Sequence, residues 1–361
     1  MRVLVLANDS VGLYKFRREL LQELIDQGNE IFISLPDGLF VESLKKCGCK
    51  FILTPIDRRG ISPKTDLKIM LCYYKMMKRM KPDLVISYTI KPNVYGGIVC
   101  RFLKRTYIMN ITGLGSAFQK DTFLKKFVIR LYKAATKKVK MILFENTDNL
   151  QTFLDNRIMK RNKAYVMPGA GVNLNDYLFS EYPKEKPVRF LFMGRIMKEK
   201  GVDELFEAAK RIKKEFPDTA FDFVGYMEND YRNTIESLVA QDVIYYHGFQ
   251  EDVKSFINRC HCFILPSWHE GMSNANLECA AMGRPLITSN ICGCKEAVIE
   301  NKSGFLCEPK DVDSLYLAIK KFLLLSEQKR KEMGIASRNH MEKMFDRRKV
   351  VEKTMEIIEQ N

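Results

Sequence analysis

Two stretches of this sequence set charged side chains beside glycines where a strand gives way to a helix. The first is Gly194-Arg195-Ile196-Met197-Lys198-Glu199-Lys200-Gly201. It follows the β-rich run 188–193 and precedes Val202, Leu205, Phe206, Ala209 and Ile212, apolar positions at helical spacing. A helix start leaves backbone N–H groups unpartnered and carries the positive end of the peptide dipoles, and Arg195 and Lys200 add two full charges beside it. A diphosphate fits that chemistry. An ordinary basic connection between strand and helix would use the same residues.

The second stretch runs from Pro266 to Glu278, after the apolar run 262–265 and into a helix that Gly283 ends. Glu270 sits in the loop and Glu278 within the helix, so the two carboxylates need not share a role. Gly271 lets the backbone pass close to a ligand, and the amides of Gly271, Met272, Ser273 and Asn274 open a second helix N-terminus. Two anion-friendly termini and two carboxylates suit a sugar nucleotide, whose phosphates want donors and whose hydroxyls want acceptors. Read without a ligand, Glu270 and Glu278 are solvated carboxylates flanking a helix start.

The elements that must position these residues alternate along the chain. In the first half, β-rich runs at 3–7, 30–35, 51–54, 84–88, 107–111, 141–145 and 164–167 are mostly separated by helix-length segments. Repeated βα alternation favours a parallel sheet covered on both faces. After Tyr182 the polar stretch 183–187 is bounded by prolines and marks a domain connection. The alternation restarts with runs at 189–193, 221–224, 243–247, 262–265, 286–289 and 305–307. The expected architecture is α/β, with two tandem Rossmann-like, doubly wound domains over 1–182 and 183–340 and a helical segment over 341–361 that could pack back on the first. Open α/β sheets bind ligands outside the carboxyl ends of their strands, so a cleft between two such domains is the expected site.

Composition narrows the classes. The chain has 361 residues, 46% hydrophobic and 29% charged, as in an ordinary globular protein of two domains. Apolar runs such as 3–7 and 69–74 are far shorter than the roughly 20 residues of a membrane span, and the start MRVLVLANDS lacks a signal peptide's apolar core. Ten cysteines include three C-x-C pairs (Cys47/Cys49, Cys260/Cys262, Cys292/Cys294) but no zinc-module spacing, which suits reduced thiols used as small apolar residues. The expected compartment is the cytoplasm. The net charge of +15 is uneven: residues 1–180 carry +16 and residues 181–361 carry −1. An anionic partner therefore faces the first half, whether membrane, nucleic acid or phosphorylated substrate.

Taken together, the G-R-x₄-K-G run at Gly194–Gly201, the carboxylates Glu270 and Glu278 with seven residues between them, and the tandem α/β layout resemble the family 4 glycosyltransferases of GT-B fold. The likeness spans nearly the whole chain. It is strongest to bacterial enzymes that extend lipid-linked saccharides for capsule, O-antigen or N-glycan assembly, of the diacetylbacillosaminyl-diphospho-undecaprenol N-acetylgalactosaminyltransferase type.

The resemblance implies that Arg195 and Lys200 bind the donor diphosphate, that Glu278 holds the ribose hydroxyls, and that Glu270 with the amides after it contacts the donor sugar. Gly12, in a loop after the first strand, would approach the phosphates, or else serve a simple turn. Retention of anomeric configuration with neither cofactor nor metal is also implied. Many family members place a first-domain histidine near the donor sugar, whereas the four histidines here are His247, His261, His269 and His340. Lys91, Asn93 and the loop Thr112-Gly113-Leu114-Gly115 follow strands of the first domain and are the acceptor-side candidates, unless they are solvated loop residues.

Residues 101–140 hold eleven Lys and Arg against one Asp. Aromatic and aliphatic residues interleave there with Lys125, Lys126, Arg130 and Lys133, as in an interfacial helix on anionic lipid. The expected partners are a nucleotide sugar, UDP-linked, a polyprenyl-diphosphate-linked saccharide and the inner face of a bacterial membrane, with no nucleic acid. A sugar-nucleotide epimerase of GT-B fold would share the diphosphate site. A basic nucleic-acid-binding protein would leave Glu270 and Glu278 idle.

Overall fold

The computed structural model describes residues 1–56, 62–115, 118 and 123–360. The chain forms two compact units, Met1–Ala170 with Arg348–Asn361, and Gly171–Arg347.

The first unit is a seven-stranded parallel sheet of β1 (Arg2–Leu6), β2 (Glu30–Leu35), β3 (Lys50–Leu53), β4 (Leu84–Tyr88), β5 (Thr106–Ile111), β6 (Met141–Phe144) and β7 (Ala164–Val166), in the order β3-β2-β1-β4-β5-β6-β7. Central strands buried on both faces read as continuous apolar runs, which is why β1 and β4 show no alternation. On one face, α3 (Pro63–Met80), α4 (Gly97–Phe102) and α5 (Phe123–Ala135) share a core with Leu4, Leu6 and Val85. On the other, α1 (Ser10–Asp26) and α2 (Val41–Lys46) pack with Val3 and Val5, joined by Val350, Met355, Ile357 and Ile358 of the last helix, α13 (Arg347–Glu359).

The second unit is a six-stranded parallel sheet of β8 (Val188–Met193), β9 (Thr219–Val224), β10 (Tyr245–Tyr246), β11 (Cys262–Leu265), β12 (Leu286–Ser289) and β13 (Gly304–Cys307), in the order β10-β9-β8-β11-β12-β13. Its helices are α7 (Val202–Glu215), α8 (Arg232–Ala240), α9 (Lys254–Arg259), α10 (Asn274–Ala281), α11 (Val312–Leu323) and α12 (Glu327–Met344), while α6 (Thr147–Asp155) belongs to the first. Every expected strand is present within a residue or two; the run 243–247 contributes only the two-residue edge strand β10.

The passage between units differs from the expected 182/183. It lies at Ala170/Gly171 and again at Arg347/Arg348. Val172 and Leu174 bury in the second unit's core, and the fully buried Arg284 donates to the Ser180 hydroxyl (2.5 Å) and the Glu181 carbonyl (3.1 Å). The polar stretch 183–187 is thus an exposed connection inside the second unit; polarity marks exposure, not the edge of a core. Likewise α12 stays with the second unit through Met333 and Met341, and only the segment from Arg348 onward joins the first.

Gly12 is not in a loop. It lies in the first turn of α1, where its N–H donates to the Asp9 side chain at 2.6 Å, the bond that caps the helix. All ten cysteines are free thiols, eight of them buried. Among the described residues no helix is long and apolar enough to cross a membrane.

His261, 5% exposed, accepts the Arg189 N–H at Nδ1 (3.0 Å). Burial, with Arg330 and Arg284 nearby, lowers its pKa from 6.5 to about 4. Because the folded pKa lies below the unfolded one, stability is fully present above about pH 6.5 and is lost as the pH falls toward 4. Thermal unfolding should show this slope, and H261Q, which cannot titrate, should flatten it.

Candidate functional site

In the second unit the two sequence motifs, far apart in the chain, form one surface. The chain leaves β8, makes a 3₁₀ turn over Lys198–Lys200 and enters α7 through Gly201. Gly201 has φ +69°, and a Cβ there would lie 2.0 Å from the Pro266 carbonyl oxygen, so only glycine lets this turn rest on the loop after β11. Adjacent bonds fix the contact: the Trp268 N–H donates to the Glu199 carbonyl (3.0 Å) and the indole N–H to buried Glu204 (3.2 Å). The Trp268 ring carries Lys310 at 4.6 Å and Lys198 at 5.9 Å.

The charged side chains follow this backbone. The Lys200 ammonium bonds the Glu270 carboxylate, which also accepts from the Ser267 hydroxyl at 2.8 Å. Both partners are largely shielded, with side chains 22% and 13% exposed, so their attraction is less screened than that of a surface pair. Lys200 and Glu270, assigned separately to diphosphate and sugar, therefore meet as one unit. Arg195 is half exposed and reaches Glu228 only at 4.0 Å, a weak surface contact that leaves its guanidinium accessible. The Gly194 N–H donates to the Val224 carbonyl, holding the end of β8 against β9.

Ser273 caps α10, its hydroxyl accepting the Asn276 N–H at 3.3 Å, while its own N–H donates to the Gly293 carbonyl at 2.7 Å. Gly293, at φ +89°, packs where a Cβ would lie 2.5 Å from the Gly271 carbonyl oxygen. The Met272 side chain is buried in the core. Glu278 lies half-buried in α10 near Tyr177; burial first, and then the Glu278 charge, push the tyrosine pKa up. His269 sits beside this cluster, its pKa lowered chiefly by burial. Asp311 caps α11 and Asp313 pairs with Arg211 at 2.6 Å, and among the described residues no group of three or more His, Cys, Asp or Glu could hold a metal ion.

Sequence reasoning missed Ser267, which bonds Glu270 within the same loop, and Glu204, whose contact with Trp268 joins distant segments. It also missed Tyr226 and Phe249, exposed rings stacked at 4.3 Å and 7° just beyond the ends of β9 and β10. Aromatic residues directly after two strand ends were the available signal.

In the first unit, Lys91 is paired with Asp66 at 2.9 Å. Asn93 is a structural residue: 1% exposed in a π-helical turn, it accepts from the Ser87 hydroxyl (2.7 Å) and donates to the Asn110 carbonyl (2.8 Å), so its amide is spent inside the fold. Thr112, Gly113 and Gly115 follow β5 and stay partly or fully exposed. Nearby, Arg17 and Glu145 form a shielded pair at 2.6 Å, with Arg17 over the Tyr88 ring; burial raises the Glu145 pKa and Arg17 opposes it. On α5, Lys126, Arg130 and Lys133 are exposed alongside Phe123 (81% exposed) and Phe127 (45%), whereas Lys125 is half-buried.

Gly201→Ala should cost about 2 kcal/mol or more of stability, because it adds a left-handed strain to a clash with backbone. Thermal unfolding measures that loss, and donor titration should show that binding weakens with it as the two turns separate.

The comparisons agree with this architecture. The family described as Glycosyl transferases group 1 matches residues 175–340, and that described as Glycosyl transferase 4-like matches residues 2–146. The chain is 28% identical, over 91% of its length and 90% of the relative's, to the N,N'-diacetylbacillosaminyl-diphospho-undecaprenol alpha-1,3-N-acetylgalactosaminyltransferase of Campylobacter jejuni. It is 25% identical, over 95% and 92%, to the capsular polysaccharide biosynthesis glycosyltransferase CapM of Staphylococcus aureus. Anabaena HepE, solved with UDP and glucose, superposes over 100% of both chains with a TM-score of 0.82 at 16% identity, a likeness of fold. With these two matched halves carrying two parallel α/β sheets, the chain is a glycosyltransferase of the GT-B fold.

Proposed function

We propose that this glycosyltransferase moves a sugar from a UDP-linked donor to a saccharide carried on a polyprenyl diphosphate, with retention of anomeric configuration and without a metal ion. The observation that carries the reading is the joining of the basic turn at Arg195–Lys200 to the Glu270 loop within one unit. As the bond between sugar carbon and diphosphate oxygen breaks, negative charge develops on the leaving diphosphate, and Arg195, Lys200 and the starts of α7 and α10 are the donors that stabilise it. Glu270, held by Lys200 and Ser267, accepts from the sugar hydroxyls. Glu278 accepts from the ribose. The exposed Tyr226–Phe249 stack offers a flat face to the base.

The acceptor rests on the relatives: the Campylobacter jejuni enzyme is named for a diphospho-undecaprenol acceptor, and so is the UDP-Gal:alpha-D-GlcNAc-diphosphoundecaprenol alpha-1,3-galactosyltransferase of Escherichia coli, 29% identical over 72% of this chain and 71% of its own. Such an acceptor confines the reaction to a bilayer surface, the cytoplasmic face for a nucleotide-sugar enzyme. The outward face of α5, apolar at Phe123 and Phe127 and basic at Lys126, Arg130 and Lys133, suits anionic lipid.

A screen of UDP- and GDP-sugars against lipid-linked acceptors tests the reaction, and turnover should persist in EDTA. Arg195→Ala should lower kcat by about a hundredfold, a loss on the scale of one preorganised donor to a developing anion. Glu278→Gln should chiefly raise KM for the donor, about tenfold or more, because a ribose contact serves ground and transition states alike. Near-wild-type kinetics in either folded variant would remove the assigned role.

Reversing Lys126, Arg130 and Lys133 to Glu should release the protein from anionic vesicles. At about 1 kcal/mol per basic residue the loss is roughly a hundredfold in partitioning. Co-sedimentation measures it, and donor affinity should not change.

A further inference from the structure

In the first unit a recess lies beside the starts of β1 and β2 and the end of α3. It holds about 660 Å³, a size typical of small-molecule sites. It forms where α3 packs Ile69, Tyr73 and Met77 against the core of β1 and β4, while among the described residues no helix lies beyond α3 over β2 and the edge strand β3. The floor is apolar, with Phe32 and Ile52 only half-buried, and Met76 and Met80 of α3 form its wall.

The rim is basic. Lys75 and Arg79, one turn apart on α3, have no carboxylate partner among the described residues, and Arg2 closes the end, its guanidinium donating to the Met80 carbonyl at 3.1 Å. The carboxylate lining the recess, Glu30, is already neutralised by Lys50, which holds its pKa down, and by Arg2 at 3.6 Å; Asp83 is taken by the Arg2 N–H at 2.7 Å. An apolar trough with unpaired cations at its lip complements a molecule with an apolar chain and an anionic head. The neighbouring face of α3 continues this character outward, with Leu67 and Leu71 exposed among Lys64, Lys68 and Lys78.

We infer that this trough seats one chain of an anionic bilayer phospholipid, with its phosphate on Lys75 and Arg79. The site is separate from the transfer chemistry and stands or falls without it.

Cys72 lines the trough and supplies the probe, because apart from Cys47 every other cysteine is buried. In a Cys47→Ser background, alkylation of Cys72 by N-ethylmaleimide is followed by mass spectrometry with monomeric dodecyl phosphate as ligand. Labelling should slow at least about fivefold. Inorganic phosphate should not slow it, and octyl phosphate should need a far higher concentration, because each methylene buried is worth about fourfold in affinity. Phosphatidylglycerol vesicles should protect and phosphatidylcholine vesicles should not. Lys75→Gln with Arg79→Gln, both exposed positions, should abolish protection while the melting temperature stays unchanged. Unchanged labelling with dodecyl phosphate, equal protection by dodecyl phosphocholine, or protection surviving the double substitution would overturn the site. Protection by dodecyl phosphate but not by phosphatidylglycerol vesicles would overturn the bilayer as its source.

Discussion

The charged surface of the second unit depends on a single close approach of backbone to backbone. The turn at Gly201 lies against the carbonyl of Pro266 at a distance no side chain would permit. That contact brings the start of α7 beside the loop after β11, and the bonds from Trp268 to Glu199 and Glu204 lock it. The two stretches of conspicuous chemistry thereby lie side by side. A helix start alone is a weak anion site; two, with fixed cations between them, form a preorganised one.

Electrostatics then sets a balance in that surface. Lys200 and Glu270 hold each other in a shielded setting where either charge left alone would be costly, and Ser267 supplies the further bond that such a pair needs. Arg195, by contrast, remains half exposed with a distant carboxylate, the condition of a cation kept accessible for a ligand. On the proposed function, a bound diphosphate and Glu270 would both attract Lys200, which would couple donor binding to the position of Glu270 through one ammonium group.

The first unit carries the surplus positive charge, and the structure distributes it unevenly. Helices α3, α4 and α5 cover one face of the sheet and turn lysines and arginines outward beside exposed Leu67, Leu71, Phe123 and Phe127. Cations mixed with exposed apolar side chains distinguish an interfacial surface from a merely soluble one, since solubility alone requires only the charges. The opposite face is sealed by α1, α2 and the returning α13, so the sheet is asymmetric in what it presents to its surroundings.

The sequence by itself determined the strands and the class of fold, because a sheet buried on both faces imposes unbroken apolar runs such as those of β1, β4 and β11, and these are local signals. It also determined where charge stands beside glycine at strand ends, and hence the likeness to the glycosyltransferases. Only the tertiary structure decided which of those residues meet. Lys200 bonds Glu270, and the Trp268 indole bonds Glu204, across separations that no local pattern encodes. Tertiary structure also set the surroundings of other candidates: the Gly12 N–H bonds Asp9, the Asn93 amide bonds Ser87 and Asn110, and Lys125 is half-buried. The unit boundary moved for the same reason. Composition reports whether a segment is polar, but whether Val172 and Leu174 are covered depends on a core assembled from the rest of the chain.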